Sequence, residues 1–174
     1  MKNIIGILSL SAMLLVSCKS DSTSSSNNNN NNNNTPANTM TVTVDGTAYS
    51  WTATAHRTSI GGQTSITVAG ADTSGSGKGG GFTLSNISAT GTYDVGTVII
   101  NGTSAQTVTM VYTPDNNTQY TSPLTGTTSV GKVTVTELTT TSIKATFNAT
   151  LTKQSGTGAN TVTLTNGSVN ATIM

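Results

Sequence analysis

The stretch SIKATFNATLT, residues 142–152, alternates apolar and polar side chains over its whole length. The odd-numbered residues from Ile143 to Leu151 are apolar, and the residues between them are Lys, Thr or Asn. A period of two places one set of side chains on each face of a β-strand, so this stretch is predicted to be a half-buried strand. No stretch of the chain shows the three-to-four-residue spacing of an amphipathic helix.

The same alternation recurs between residues 39 and 174, at 39–44, 64–68, 81–85, 107–112, 131–138 and 161–164. Between these segments lie short runs rich in Gly, Asn and Ser, which are typical of turns. Residues 39–174 are therefore predicted to form one all-β domain, an antiparallel β-sandwich of about nine short strands. A small β-barrel is the alternative.

Three dipeptides carry the turn chemistry of two-residue hairpins: Asp45-Gly46, Asn101-Gly102 and Asn166-Gly167. A hairpin at Asn166-Gly167 would place Leu164 opposite Val169 and so explain why the apolar positions change from even to odd numbers there. A β-bulge at the same place would produce the same change.

The first residues have the pattern of a targeting segment. Lys2 precedes an apolar run from Ile4 to Val16, which is shorter than the ~20 residues of a membrane-spanning helix and fits a signal peptide. The following Leu15-Val16-Ser17-Cys18 resembles the bacterial lipobox, in which a diacylglyceryl group is added to the thiol and the chain is cleaved before it. Cys18 is the single cysteine, so it has no disulfide partner within the chain. We therefore expect a signal peptide at 1–17 and a lipid anchor on Cys18.

Residues 18–38 are mainly Ser and Asn and have no apolar periodicity. Such a segment cannot bury enough surface to offset its chain entropy, so it is predicted to be a flexible tether with a reach of roughly 25 Å. An Asn tract can alternatively be prone to aggregation. Within the tether, Asp21-Ser22-Thr23 resembles the O-glycosylation signal of Bacteroidota, which makes Ser22 a candidate glycosylation site.

The chain is almost free of charge, with 7% charged residues against a typical ~25%. It has seven basic and six acidic side chains, and loss of Lys2 with the signal peptide would leave six of each. Binding of nucleic acid depends on a basic surface, so nucleic acid is not expected to be a partner.

Three features could suggest catalysis, and each lacks what the chemistry requires. The stretch GSGKGGG, residues 75–81, lacks the spacing and the following helix of a phosphate-binding loop and is predicted to be a mobile connection between strands. ADTSG, residues 71–75, departs from the Asp-Thr-Gly of aspartic proteases, which also need a second carboxylate. His56 is the only imidazole and is expected to be exposed near the end of a strand. We therefore predict no catalytic residues, no cofactor and no metal site.

One loop combines residues suited to ligand contact. Tyr112 and Tyr120 flank a polar segment that contains Asp115, Asn116 and Asn117. Aromatic rings beside amides and carboxylates suit a sugar, which needs both stacking and hydrogen bonds. Two tyrosines that face the core on either side of a hairpin would give the same pattern. The frequent Thr-x-Thr repeats could likewise form hydroxyl ladders for a glycan or ice, or be ordinary exposed strand positions.

The lipobox, the tether, TVTVDGTAYSWTAT (41–54), GTYDVG (91–96) and TVTLTNGSVNATI (161–173) together resemble a group of small lipoproteins of Bacteroidota with a β-rich domain. The resemblance implies an outer-membrane or cell-surface location and carries over no active site. We expect an envelope lipoprotein that is not an enzyme and that serves as a binding or adhesion module for glycan or protein. A structural envelope lipoprotein without a small ligand, and a hydrolase with an unrecognised site, are the alternatives.

Replacement of the thiol tests the anchor. Because lipidation requires the Cys18 sulfur, Cys18→Ser is expected to abolish incorporation of labelled fatty acid and to detach the protein from membranes or leave an uncleaved precursor. Normal processing and membrane retention of this variant would contradict the anchor.

Overall fold

The computed structural model describes residues 35–101, 104–123 and 128–174. The predicted signal peptide, Cys18 and Ser22 lie outside these residues. The described residues contain no helix and form eleven strands: β1 (Thr39–Val44), β2 (Thr47–Ile60), β3 (Gln63–Ala71), β4 (Gly79–Ser85), β5 (Gly91–Val95), β6 (Val98–Asn101), β7 (Ser104–Thr113), β8 (Gln119–Thr121), β9 (Gly131–Leu138), β10 (Ser142–Ser155) and β11 (Thr161–Thr172). The all-β prediction is confirmed, with eleven strands instead of about nine.

The strands belong to one sheet whose hydrogen-bonded pairs close on themselves. The order is β11-β1-β2-β3-β4-β7-β5-β9-β10, and β10 pairs with β11 to complete the ring. Strand β8 lies between β7 and β10, and β6 pairs with β7. All pairs are antiparallel except β5 with β7, which meet in parallel at Val95 and Val108. The sheet is thus barrel-like, and it encloses one packed core in the manner of a sandwich.

The core consists of the alternate residues that the sequence predicts. Every apolar position of the 142–152 segment is buried, and so are the corresponding positions of the other strands. The largest fully buried side chains include Phe82, Met40, Ile66 and Leu84. Because these side chains come from strands all around the ring, they form a single hydrophobic cluster.

The Asp45-Gly46 hairpin is confirmed. Val44 pairs with Thr47 and Met40 with Trp51, which is the register of a two-residue loop. Asp45 and Gly46 have φ values of 46° and 85°, as a type I′ turn requires. Strands β6 and β7 also pair antiparallel, but Asn101 lies opposite Ser104, which is not the register of a two-residue loop at Asn101-Gly102.

The prediction of a hairpin at Asn166-Gly167 is wrong, and the alternative prediction of a β-bulge is correct. Strand β11 continues through both residues and pairs on both sides, with a register shift against β10 and another against β1. Asn166 has a φ of 51°, and Gly167 packs against the ring of Phe147. One extra residue on the bulged strand turns the following side chains over, which moves Val169 and Ala171 into the core.

The two ends of the ring differ. We call one the loop end; it carries the connections 45–46, 72–78, 114–118 and 156–160. We call the other the terminal end; β1 starts there, β11 finishes there, and the connections 61–62, 86–90 and 139–141 lie there. The pairing of β1 with β2 and β11 determines which connections lie at which end.

The last residues assigned to the tether are held against β11, with Asn38 at the terminal end and Thr35 beside Ser168 and Asn170. Asn170 Nδ2 donates to the carbonyl oxygen of Thr35 at 2.9 Å, and the Thr172 amide donates to Asn38 Oδ1 at 2.9 Å. The carbonyl oxygen of Asn38 also accepts a hydrogen bond from the Ala53 amide. The folded domain therefore includes residues 35–38 as well as 39–174.

A larger residue at position 167 tests the packing of the β11 bulge against Phe147. A Cβ at Gly167 would overlap the Phe147 ring and lie 2.6 Å from the Phe147 carbonyl oxygen. Gly167→Ala is therefore expected to lower the free energy of unfolding by about 1–3 kcal/mol. Chemical denaturation measures this, and Thr165→Ala on the exposed side of the same strand should change it by less than about 0.5 kcal/mol. Equal effects of the two substitutions would contradict the packing described here.

Candidate functional site

The two tyrosines of the predicted ligand site lie in the core. Tyr112 is 4% exposed and Tyr120 is 6% exposed, which matches the core-facing alternative. The Tyr120 hydroxyl donates to the carbonyl oxygen of Ala159 at 3.2 Å and so ties β8 to the 156–160 connection. Neither ring offers a free face to a ligand.

These rings belong to a ladder of four aromatic side chains near the loop end. The ring centroids are 5.8 Å apart for Tyr49 and Trp51, 6.2 Å for Trp51 and Tyr112, and 6.2 Å for Tyr112 and Tyr120. Trp51 and Tyr112 lie on β2 and β7, with β3 and β4 between them. Such stacking contributes ~0.5–1.5 kcal/mol per pair beyond area burial.

An inward-facing glycine makes room for the ladder. Gly70 on β3 pairs with Gly80 on β4, so this level of the two strands carries no side chain. A Cβ at Gly70 would lie 2.7 Å from Met40 Sδ and 3.2 Å from Trp51 Cε3. Any larger residue there would have to displace the indole ring or the thioether.

Burial in this ladder raises the pKa of Tyr112 to about 12, and the nearby Tyr49 and Asp45 add to the effect. The ionised phenolate is disfavoured because it would lose hydration in an apolar environment. The Tyr112 hydroxyl therefore keeps its proton at physiological pH.

The segment between the two tyrosines is a closed turn. Asp115 Oδ1 accepts hydrogen bonds from the amides of Asn117 and Thr118, both at 2.8 Å. These two amide contacts hold the pKa of Asp115 below its usual range. The carboxylate is thus engaged within the loop, whereas the side chains of Asn116 and Asn117 are exposed. Among the predicted contact residues, these two amides are the ones most available to a ligand.

The loop next to it is organised in the same way. The Asp72 carboxylate accepts from the Ser74 amide at 2.9 Å, the Ser74 hydroxyl at 2.8 Å and the Ser76 hydroxyl at 3.0 Å. These contacts, the Ser74 amide first among them, lower the pKa of Asp72. Asp72 therefore closes its own loop and is not paired with a second carboxylate.

The glycine-rich stretch 75–81 is only partly a connection. Gly75 and Gly77 have positive φ and lie in the loop, but Gly79–Gly81 form the start of β4. A Cβ at Gly79 would lie 2.6 Å from the Gly70 carbonyl oxygen, so β3 and β4 approach closely there. These glycines serve strand packing, and none of them begins a helix that could bind phosphate.

Three of the connections touch one another at the loop end. A Cβ at Gly77 would overlap the Asn116 side chain, and a Cβ at Gly156 would lie 2.6 Å from Thr118 Cα. The Thr113 hydroxyl also donates to the carbonyl oxygens of Gly77 and Gly79, at 3.2 Å each. Connections 72–78, 114–118 and 156–160 therefore form one continuous surface.

Tyr49 and Lys78 complete this surface and were not among the predicted site residues. Tyr49 is half-buried at the outer end of the ladder, and Lys78 Nζ lies 4.7 Å from the centre of its ring. A cation over an aromatic face is worth ~0.5–1 kcal/mol at an exposed site. The only sequence signal was that Tyr49 and Trp51 are both odd-numbered and so lie on the same face of β2. This signal does not show whether the Tyr49 ring lies inside the core or at its edge.

The ionisable residues elsewhere are dispersed. His56 is exposed, as predicted, although β2 continues for four residues beyond it. Asp94 pairs with Lys132 and Glu137 with Lys144, both at 2.8 Å. In the part of the chain that the structure describes, no cluster of three or more His, Cys, Asp or Glu side chains could hold a metal ion.

The outer face of the sheet carries rows of hydroxyl groups. The longest row crosses six neighbouring strands, from β5 through β9, β10, β11 and β1 to β2. Its members are Thr92, Thr134, Thr146, Ser168, Thr41 and Ser50. Thr92 and Thr134 share a hydrogen bond between their hydroxyls at 2.9 Å. Because the row follows the closed sheet around, it does not form one flat surface.

Comparison with models of protein families, with curated protein sequences and with solved structures found no match to this chain. Within 35–101, 104–123 and 128–174, no helix has the length and apolarity needed to cross a membrane.

The raised pKa of Tyr112 predicts a loss of stability in alkali. In the unfolded chain the phenol ionises near pH 10, whereas in the fold it holds its proton to about 12. Its contribution is therefore present below pH 10 and lost as the pH rises from 10 towards 12, by up to about 3 kcal/mol.

Tyr112→Phe is expected to remove most of this alkaline loss, which denaturation at several pH values would measure. Tyr93→Phe, which leaves Tyr112 in place, should keep it. An unchanged alkaline profile of Tyr112→Phe would mean that the Tyr112 hydroxyl is not held in its neutral form by the fold.

Proposed function

We propose that this chain is a lipid-anchored lipoprotein of the bacterial outer membrane whose β domain is a non-catalytic binding or adhesion module for glycan or protein. The observation that carries this proposal is the polarity of the ring. The described chain joins the sheet at the terminal end, where the Thr172 amide donates to Asn38 Oδ1, and Thr35 lies against β11 beside Ser168 and Asn170. The continuous surface of connections lies at the loop end, opposite Asn38.

This polarity suits a molecule held by its N-terminal segment. Strand β2 has 14 residues, so its length along the strand from the loop end to the terminal end is roughly 45 Å, and the strand tilt of a closed sheet makes the distance between the ends shorter. A tether of roughly 25 Å would add to that distance. The loop end is then the end of the domain opposite Asn38.

The chemistry of the loop end favours a broad and weakly charged ligand. Asn116 and Asn117 present amide donors and acceptors, and the half-buried Tyr49 ring lies under the Lys78 ammonium. The carboxylates of Asp72 and Asp115 are engaged within their loops. Exposed amide groups of this kind contact sugars and protein surfaces through hydrogen bonds, without electrostatic steering.

A structural envelope lipoprotein is the second candidate. It is favoured by the internal hydrogen bonds of the 72–78 and 114–118 loops, which give each loop a fixed shape without any ligand. A hydrolase with an unrecognised site is less favoured, since Asp94 and Glu137 each pair with a lysine and Asp115 is committed to backbone amides.

Binding measurements with loop-end variants distinguish these candidates. A glycan array or a pull-down with the unmodified chain first identifies a bound glycan or envelope protein. The double variant Asn116→Ala, Asn117→Ala is then expected to bind that ligand with an affinity at least about tenfold lower. The matched control is Thr140→Ala, an exposed position at the terminal end, which should bind normally. If the double variant binds as well as the control, the ligand does not contact the loop end, and if the unmodified chain binds nothing, the structural role is favoured.

A further inference from the structure

Arg57 is the single arginine of the chain and lies in the part of β2 that reaches the terminal end. It has the same parity as the buried Ala53 and Ala55 of that strand. Its partner on β3 is Ile66, which is 1% exposed. The arginine therefore occupies a core-facing position, where removal of a charge from water is costly unless the charge is paired.

The side chain of Arg57 reaches from β2 to the 139–141 connection. Its Nη2 donates to the carbonyl oxygen of Thr139 at 2.7 Å. Backbone hydrogen bonds bring the same elements together, from the Arg57 amide to the carbonyl oxygen of Met174 at 3.2 Å and from the Ile173 amide to that of Thr141 at 2.8 Å. The fold thus positions the guanidinium without any ligand.

The contact with a neutral carbonyl leaves the charge of the guanidinium without a counter-charge. Within the described ranges, the ion pairs are Lys132 with Asp94 and Lys144 with Glu137, and Arg57 belongs to neither. The other carboxylates of the described residues lie in connections at the loop end. Arg57 is therefore a cation that the described part of the chain does not neutralise.

The guanidinium also has unused hydrogen-bond donors. Nε of Arg57 is closed off from solvent and has no partner among the described residues. The side chain as a whole is only partly buried, so another part of it reaches solvent at the terminal end. A guanidinium has five N–H donors, and the single carbonyl contact leaves donors for a group that accepts two hydrogen bonds at once.

We propose that Arg57 binds one oxyanion, a phosphate or a carboxylate group, at the terminal end. The planar fork of an arginine matches two oxygens of such a group, and the negative charge compensates the one that the fold leaves unpaired. Thr140 and Thr141 are exposed on the connection that Arg57 contacts and provide hydroxyl donors nearby. The site suits a single anionic group, because the neighbouring Lys144 is already paired with Glu137.

The oxyanion has two conceivable sources with the same chemistry. Asn38 lies at the terminal end, and the proposed lipid anchor precedes it in the chain, so a phospholipid headgroup is one source. The other is a phosphate or carboxylate of a soluble molecule. The site itself rests neither on the anchor nor on binding at the loop end.

The side-chain Nε–H of Arg57 provides a direct measurement. Because the chain has one arginine, this group gives a single signal in a nitrogen–proton correlation spectrum. The isotope-labelled full-length chain, in a neutral detergent without phosphate, is titrated with inorganic phosphate, with acetate and with chloride at matched ionic strength. We expect the Arg57 signal to shift saturably with phosphate or acetate and not with chloride.

Phospholipid bicelles that carry the same protein distinguish the two sources. A headgroup in the site would shift the Arg57 signal before any soluble anion is added and would prevent a further shift by inorganic phosphate. An equal response to phosphate or acetate in detergent and in bicelles would indicate a soluble ligand. A signal that responds to neither phosphate, acetate nor phospholipid, or that responds as strongly to chloride, would overturn the proposal.

Two variants test whether the response depends on the guanidinium, with the backbone amide of Thr140 as the reporter. Arg57→Lys keeps the charge but loses the planar fork, and it should bind phosphate or acetate at least about fivefold more weakly. The matched control, Lys153→Gln, removes a positive charge at the loop end and should bind normally. Equal binding by Arg57→Lys and the parent chain would overturn the proposal. The double variant at Asn116 and Asn117 should keep the response, so failure of the loop-end proposal and failure of this site are separate results.

Discussion

The pairing of β10 with β11 is the contact on which the rest of the structure depends. It joins the first and last strands of the order and so closes the sheet, which otherwise would present two long edges. Closure also defines an inside and an outside for every strand. The strict alternation of the sequence is then satisfied all around the ring, with one apolar set in the core and one polar set in water.

Closure limits the space inside the sheet, and this limit determines where function can lie. The interior near the loop end is filled by the aromatic ladder, and Gly70 makes room for Trp51 because a Cβ there would meet the indole ring. Tyr112 packs beside that ring and is almost fully buried. Since side chains occupy this part of the core, a ligand has to bind outside it, on the connections between strands or along an edge.

These connections are shaped by short-range hydrogen bonds instead of by core packing. Asp72 and Asp115 each close a loop through backbone amides, and contacts through Gly77 and Gly156 join the loops into one surface. We propose that the loop end contacts a glycan or protein through neutral groups, in keeping with a chain that has very few charges.

The sequence alone determined the fold class, the core residues and the Asp45-Gly46 hairpin, because strand periodicity and primed turns are local properties that neighbouring residues specify. It did not decide between a hairpin and a bulge at Asn166, since both change the parity in the same way and only pairing with β10 and β1 separates them. The candidate site was predicted in part. Asn116 and Asn117 are exposed as a ligand site requires, but Tyr112 and Tyr120 point into the core, and Tyr49 and Lys78 meet only because β2 and β4 lie near each other in the ring. The tertiary structure decided these points, as it decided that β6 has a single partner, because strand order depends on contacts between residues that are far apart in the chain.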